Sequence, residues 1–491
     1  MFHGSITYAT FEIVVGQRTE GGYPVRVRPT ETVSPARGIL DLDPTDDRLR
    51  RLVNEIEEED PHRRGKALLA EFGERLFERL FTGEVAASFH ESWGRARTAG
   101  RGLRLRLDLE PPELASLPWE YLYHAAEDHF FAVAADTPLT RFVSDLHQPL
   151  EPLTVEGRLR MLLITASPED VVPLDLAAGR GNIAEALADV PGIELLPPVD
   201  QATPSAVREA LRRHHPHIVH FLGHGYFQRA DGGERAGVVL EDGSGRACRL
   251  DADEFARLFQ APPGAGKVRL LVLNACEGAK ASSTRPLVGL AHNALRHVPA
   301  VVAMQYPVYD DAARRFASEF YRALAVGYPV DAAVSEARNA LYIDYGAGRR
   351  DWGIPALFLR SPDGRIFHVV EERDRTFRPA DDAGRLGFPA DVRIDPDNPP
   401  IAAIRELLLI VFNPEDLRRF CQDRSIFQPL VARFGPGHGL DDMVDRVIDY
   451  CRTQLLWDEL LAEVAKSSPR HYARFEPRLR GSDRDDPFGP A

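Results

Sequence analysis

The chain opens on alternating apolar and polar positions. Ser5 to Val15 and Tyr23 to Val27 alternate on either side of Gly21-Gly22, which predicts a hairpin. Leu49 to Ile56 and Ala67 to Phe81 carry apolar residues at helical spacing. Leu103 to Leu109 alternates strictly, so it reads as a half-buried strand, and the apolar segment Leu117-Pro118-Trp119-Glu120-Tyr121-Leu122 follows. From about residue 158 short apolar runs replace alternation: Arg160 to Thr165, Ile218 to Leu222, Val268 to Leu273 and Ala300 to Met304. Helical segments separate them at Asn182 to Asp189, Ser205 to His214, Asp253 to Phe259 and Leu287 to Arg296. Two more helices, Asp311 to Ala325 and Val330 to Leu341, precede a last strand at Ala356 to Leu359. Strands and helices taking turns predict an α/β fold, a mostly parallel sheet flanked by helices.

The ends of the pattern divide the chain. Residues 1–155 form an α+β N-terminal part and residues 156–370 the α/β unit. Residues 371–399, rich in Asp, Arg, Gly and Pro, read as a linker after a short strand at Ile366 to Val370. Helical spacing returns at Ile401 to Phe412, Leu440 to Cys451 and Leu455 to Ala465. Asn413-Pro414-Glu415-Asp416 carries the start signals of a helix: a capping side chain, Pro in the first turn, then acids at the positive dipole end. Residues 400–477 are therefore expected to be a small all-helical bundle that folds alone, and 478–491 a disordered tail.

Composition narrows the class. A chain of 491 residues exceeds the roughly 250–300 residues at which single cores stop growing. The net charge of −14 argues against direct nucleic-acid binding, which needs a basic stripe. No apolar run reaches the roughly 18 residues of a membrane span, and the N-terminus lacks the pattern of a signal peptide. Cys248, Cys276, Cys421 and Cys451 form neither a C-x-x-C pair nor a disulfide framework. A reducing cytoplasm is the expected location, and it suits a free thiol.

Two strand ends carry reactive side chains. One runs Val219-His220-Phe221-Leu222-Gly223-His224-Gly225 and the other Leu271-Val272-Leu273-Asn274-Ala275-Cys276-Glu277-Gly278. Open α/β sheets place ligands beyond the carboxyl ends of their strands. A thiol with a pKa near ~8.5 needs an imidazole to share its proton before it attacks at neutral pH. His224 is the candidate base and Cys276 the candidate nucleophile, with the Gly225 and Cys276 amides as oxyanion donors. The simplest alternative for Cys276 alone is a buried structural cysteine, and for Cys248, Cys421 and Cys451 that reading stands. His214, His215, His217, His220 and His224 suggest a metal, but a strand does not give His220 and His224 helical spacing, so no metal is expected. His220 is a core residue beside the site. Two glycine-rich decoys fail: Gly264-Ala265-Gly266-Lys267 precedes a strand and lacks Ser or Thr after the Lys, and Gly179-x-Gly181 lies well past its strand. Asp310 is either a helix cap or a wall of the substrate pocket, and Glu277 either faces that pocket or solvent. Trp119 reads as a core anchor.

The region resembles a CHAT domain, the caspase-like family related to separase. His220-Phe221-Leu222-Gly223-His224-Gly225 and Asn274-Ala275-Cys276 carry the likeness. So do Val302-Ala303-Met304-Gln305-Tyr306-Pro307-Val308, Asp310, Ala313, Phe316, Phe320-Tyr321, Gly327, Ala337-Arg338 and Asp351-Trp352-Gly353-Ile354-Pro355. Leu117-Pro118-Trp119-Glu120 and Thr137-Pro138-Leu139 extend it, so that it covers roughly 1–370. The resemblance implies a caspase-like fold, a cysteine endopeptidase with a His224–Cys276 dyad, a protein substrate and no cofactor. Arg-specific relatives often carry an acid two residues before the nucleophile; here that position is Asn274, so Asn274, Glu277 and Asp310 are the pocket candidates without a stated preference. The bundle at 400–477 resembles an effector-associated domain through Ile404-Arg405-Glu406-Leu407-Leu408, Phe412-Asn413-Pro414-Glu415-Asp416-Leu417, Asp445 to Cys451 and Leu455 to Leu461. That resemblance implies a death-like adaptor and homotypic pairing with a sensor or effector protein in bacterial defence or cell death. A catalytically silent scaffold acting through protein–protein contacts is the alternative; possession of both dyad residues speaks against it.

Overall fold

The computed structural model describes residues 7–30, 33–58, 65–143, 151–230, 233–260, 268–275 and 286–370. It also describes 400–412, 414–422, 424, 426–431, 434, 439–454, 456–468, 472 and 475. Two compact units emerge, Met1–Phe377 and Arg378–Ala491.

In the first unit the chain forms β1 (Tyr8–Val15), β2 (Tyr23–Arg28), β3 (Ala36–Leu40), α1 (Asp47–Glu57), α2 (Lys66–Leu80) and α3 (Gly83–Thr98). Next come β4 (Gly102–Leu109), α4 (Pro112–Ala115), β5 (Tyr123–His124), β6 (His129–Phe130), β7 (Leu139–Phe142) and β8 (Leu153–Glu156). The α/β part continues with β9 (Leu159–Thr165), α5 (Leu176–Ala188), β10 (Ile193–Leu195), α6 (Pro204–His214), β11 (Ile218–Ala230), β12 (Gly233–Glu241), β13 (Ala247–Asp251) and α7 (Ala252–Arg257). It closes with β14 (Leu270–Ala275), α8 (Pro286–Ala294), β15 (Ala300–Met304), α9 (Asp310–Ala325), α10 (Val330–Tyr345), β16 (Pro355–Leu359) and β17 (Phe367–Val370).

The sheet runs β10-β9-β11-β14-β15-β16-β7-β4-β1-β2-β3, with β12 and β13 added as an antiparallel arm on β11. The strands β9, β11, β14 and β15 run parallel to one another, while β16 is antiparallel to β15. This is the mostly parallel sheet the apolar runs predict. Alternate residues go to opposite faces. Met161, Ile218, Val272 and Val302 pack with α5, α9 and α10, whereas Leu162, Phe221, Leu273 and Val301 pack with α7 and α8. The N-terminal strands join the same sheet through β7 and β16, so no break in pairing separates the two halves.

β4 departs from the half-buried expectation: Gly102 to Asp108 are all buried. The polar face is paired rather than solvated. Arg104 bonds Asp331 of α10 and the Asp363 carbonyl (2.9 Å), and Arg106 faces Glu12 at 3.6 Å. The expected cap at Asp310 is not made either, because Tyr309 holds the cap position and Asp310 is the first helical residue of α9. The glycines Gly179 and Gly181 lie inside α5, not in a phosphate-binding turn. Residues 264–267 lie outside the described residues. Trp119 is fully buried and donates to the Leu114 carbonyl at 2.8 Å, the anchor its sequence context predicts.

The second unit contains α11 (Ile401–Val411), α12 (Pro414–Gln422), α13 (Gln428–Val431), α14 (Leu440–Gln454) and α15 (Trp457–Ser467). Its own apolar core includes Ile404, Leu408, Leu417, Phe420, Val444, Val447, Leu460 and Val464. Arg424 binds Glu463 (2.7 Å) and lies over the Phe420 ring. Pro414 opens α12 as the start signal predicts. The proposed linker 371–399 and the tail 478–491 lie outside the described residues. Among the described residues no helix is long and apolar enough to cross a membrane.

Candidate active site

β11 and β14 lie side by side, and their register pairs Leu222 with Asn274 and Gly223 with Ala275. The next residue on each chain is His224 and Cys276. Cys276 and Glu277 lie outside the described residues; Asn274 is half-buried at the end of β14. The pleat puts Ile218, His220, Leu222 and His224 on the face covered by α5 and α9, and Val272 and Asn274 share that face. Gly223 is required where it stands. A Cβ there would meet the Phe221 ring at 2.5 Å and the Ala166 carbonyl at 3.3 Å.

His224 is 5% exposed, and its Nε2 lies 2.7 Å from the Val172 carbonyl oxygen. A carbonyl only accepts, so Nε2 carries the hydrogen and donates. Nδ1 is then the basic nitrogen of the neutral ring, and among the described residues it has no partner. The loop that offers the Val172 carbonyl is pinned at several points. Ser167 N donates to the buried Glu241 carboxylate (3.0 Å), Glu169 N to the Gly245 carbonyl (3.0 Å), and Ala247 N to Asp170 (2.7 Å). The β12–β13 arm therefore positions the loop, and the loop fixes the imidazole tautomer. Nothing in the sequence marks Val172, because a backbone carbonyl has no side-chain signature.

Gly225 pairs with Val238 across the β11–β12 ladder. Asp310 is exposed at the start of α9. His220 is buried, with Nδ1 2.7 Å from the Tyr321 hydroxyl of α9, and burial pushes its pKa down to about 3. His217 accepts from Arg160 N (3.1 Å) through Nδ1, and burial followed by the Arg160 charge lowers it to about 4. The histidines thus have separate partners, and no metal-binding group forms among the described residues.

A second buried cluster ties in residues that carried the family likeness. Arg141 bonds both Glu120 oxygens (3.0 and 2.7 Å), the Leu117 carbonyl (2.8 Å) and the Ala115 carbonyl. Gln305 donates to Glu120 (2.7 Å) and accepts from Arg141 (3.0 Å). Burial would raise the Glu120 carboxyl, but the Arg141 guanidinium overcomes it and holds the group below its ordinary range. Arg338 donates to the Pro355 carbonyl (2.7 Å), and burial pushes it down to about 10.

A mostly parallel sheet of this order, with a histidine inside one central strand, which continues past the expected end to Ala230, and Asn-Ala at the end of the next, defines a cysteine-protease-like fold of the caspase class. Residues 70–430 match the CHAT domain, and the chain belongs to that family. The match begins later than the likeness read from the sequence and runs into the helical unit. No curated protein matches the chain. Among solved structures it is similar to separase of Saccharomyces cerevisiae in complex with securin, at 14% identity and TM-score 0.31, over 63% of this chain and 20% of that one. It is also similar to the Arg-specific cysteine proteinase gingipain R, at 11% identity and TM-score 0.32, over 61% of this chain and 68% of that one. The complex of the pro- and mature domains of RgpB from Porphyromonas gingivalis gives 10% identity and TM-score 0.33, over 61% and 70%. The chain spans about a fifth of the separase chain.

Proposed function

We propose that this protein is a cysteine endopeptidase in which Cys276 is the nucleophile and His224 the base. The observation that carries the reading is the His224 Nε2–Val172 bond, which leaves Nδ1 free to take a proton. The thiol proton passes to Nδ1 as sulfur bonds to the substrate carbonyl carbon. The Gly225 and Cys276 amides hold the oxyanion. Collapse breaks the peptide C–N bond, and the imidazolium returns its proton to the leaving amine. Water then hydrolyses the thioester with His224 again as base. Consecutive Cα atoms lie ~3.8 Å apart, so Cys276 follows closely on the residue paired with Gly223. Asn274, Glu277 and Asp310 are the proposed pocket residues.

The 400–477 bundle is the proposed recruitment domain, joined through 371–399. It pairs with a sensor or effector carrying a matching domain, and the protease acts in cytoplasmic bacterial defence or cell death. A thiol-reactive peptidyl acyloxymethyl ketone tests the site. It should label Cys276 in the wild type and fail to label Cys276→Ala or His224→Ala. Absence of label in the wild type, with partners present, would revive the silent-scaffold alternative.

A further inference from the structure

We propose that Gln305 is a positioning residue through which the N-terminal half of the chain shapes the substrate pocket; this rests on the dyad reading above. β14 has two neighbours. One, β11, supplies His224. The other, β15, pairs Leu273 with Ala303, so two residues further on the two chains reach Ala275 and Gln305. The segment 305–309 therefore leaves the sheet beside the carboxyl end of β14, on the side away from β11 and His224. A peptide presented to a nucleophile beyond β14 is flanked on one side by β11, which carries the base within its ladder, and on the other by the segment leaving β15, which is left to contact the substrate. Along that second segment Pro307 and Tyr309 are exposed and Val308 is half-buried.

Both parts of the segment are held by residues distant in sequence. At its start the Gln305 amide donates to Glu120 (2.7 Å) and to the Gly353 carbonyl (3.3 Å), and accepts from Arg141 (3.0 Å). Its backbone N–H donates to the Ile354 carbonyl at 3.0 Å. Further on, Arg350 donates to the Pro307 carbonyl (3.4 Å) and lies 5.3 Å from the Tyr306 ring centroid. Arg350 is itself anchored on the Ile56 and Glu57 carbonyls of α1 at 3.0 and 2.9 Å. A glutamine suits the first position because one amide can donate to a carboxylate and accept from a guanidinium together. Glutamate there would face Glu120, and leucine would satisfy neither. A buried polar cluster costs desolvation that apolar packing would avoid, so its return is a defined geometry. Here that geometry is the exit of the pocket segment.

The test uses the full chain with Gln305→Leu and the exchanged pair Glu120→Gln/Gln305→Glu, which keeps a carboxylate for Arg141 and an amide beside it. Amide hydrogen exchange should rise about tenfold at 306–309 in Gln305→Leu, a local opening, while the rest of the sheet stays protected. The concentration of peptidyl acyloxymethyl ketone giving half-maximal labelling should rise about tenfold, the loss expected for one buried hydrogen-bond partner. The limiting labelling rate and the rate with iodoacetamide should stay at wild-type values, since His224 and Cys276 are untouched. The exchanged pair should recover most of the peptidyl affinity. Unchanged exchange at 306–309, or equal losses with the peptidyl reagent and iodoacetamide, would overturn the proposal. Failure of the dyad reading looks different: wild-type Cys276 would take up neither reagent, while the exchange measurement would still decide whether Gln305 holds the segment.

Discussion

Lowering the pH from about 7 to about 5 should destabilise the first unit through His220, by an amount its burial sets. His220 sits under α9, 3% exposed, with Nδ1 on the Tyr321 hydroxyl and a buried Nε2 that has no partner. Burial holds the neutral ring down to about 3, from an ordinary value of 6.5. Below 6.5 the unfolded chain binds a proton that the folded chain refuses. Stability is therefore complete above 6.5 and lost as pH falls toward 3. Each pH unit costs about 1.4 kcal/mol, so at about pH 5 the loss from His220 alone is about 2 kcal/mol. Urea unfolding of the wild type and of His220→Gln, at both pH values, isolates this contribution because the other titrating groups are shared. The wild type should lose about 2 kcal/mol more than the variant on acidification. Equal losses would refute the reasoning, since His220 would then titrate alike in both states.

Four further outcomes follow from the same structure. Glu120→Ala leaves the Arg141 guanidinium buried without its carboxylate and should cost about 3–5 kcal/mol in chemical denaturation. Gly237→Ala forces a Cβ to 1.9 Å from the Leu250 carbonyl, so it should separate β12 from β13 and lower the melting temperature, by about 1–3 kcal/mol of stability. Glu241→Ala removes the anchor of Ser167 N and loosens the loop carrying Val172; kcat should fall about tenfold with less effect on KM, read with any peptide substrate the enzyme turns over. Burial pushes Cys421 and Cys451 up to about 12, so native iodoacetamide treatment followed by peptide mapping should leave both unmodified, and their alkylation in the folded protein would contradict the packing of α12 and α14.

The sheet was legible because its central strands are buried on both faces. Val219 to Leu222 and Leu270 to Leu273 therefore read as unbroken apolar runs between helical spacings. β4 misled for the converse reason. Arg104, Arg106 and Asp108 look like a solvent face, and only the fold reveals Asp331 and Glu12 waiting for the two arginines. The β12–β13 arm escaped notice because Gly233 and Gly237 interrupt its apolar pattern, and α3 because Gly83, Ser88, Ser92 and Gly94 dilute its helical stripe. At the site, the histidine side chain and its neighbours Gly223 and Asn274 could be singled out from residue type and order. The Val172 carbonyl could not, since any residue supplies one. Glu120, Arg141 and Gln305 are far apart in sequence, and their union depends on β7 and β15 being two strands apart in a sheet whose order the chain does not display.

The most direct test of the central claim is proteolysis itself. Purified wild type, Cys276→Ala and His224→Ala are incubated with a host lysate, together with the candidate sensor partner, and new protein N-termini are mapped. The account predicts a defined set of new N-termini with the wild type and none with either variant, each variant keeping the wild-type melting profile. The same N-termini produced by Cys276→Ala would contradict it.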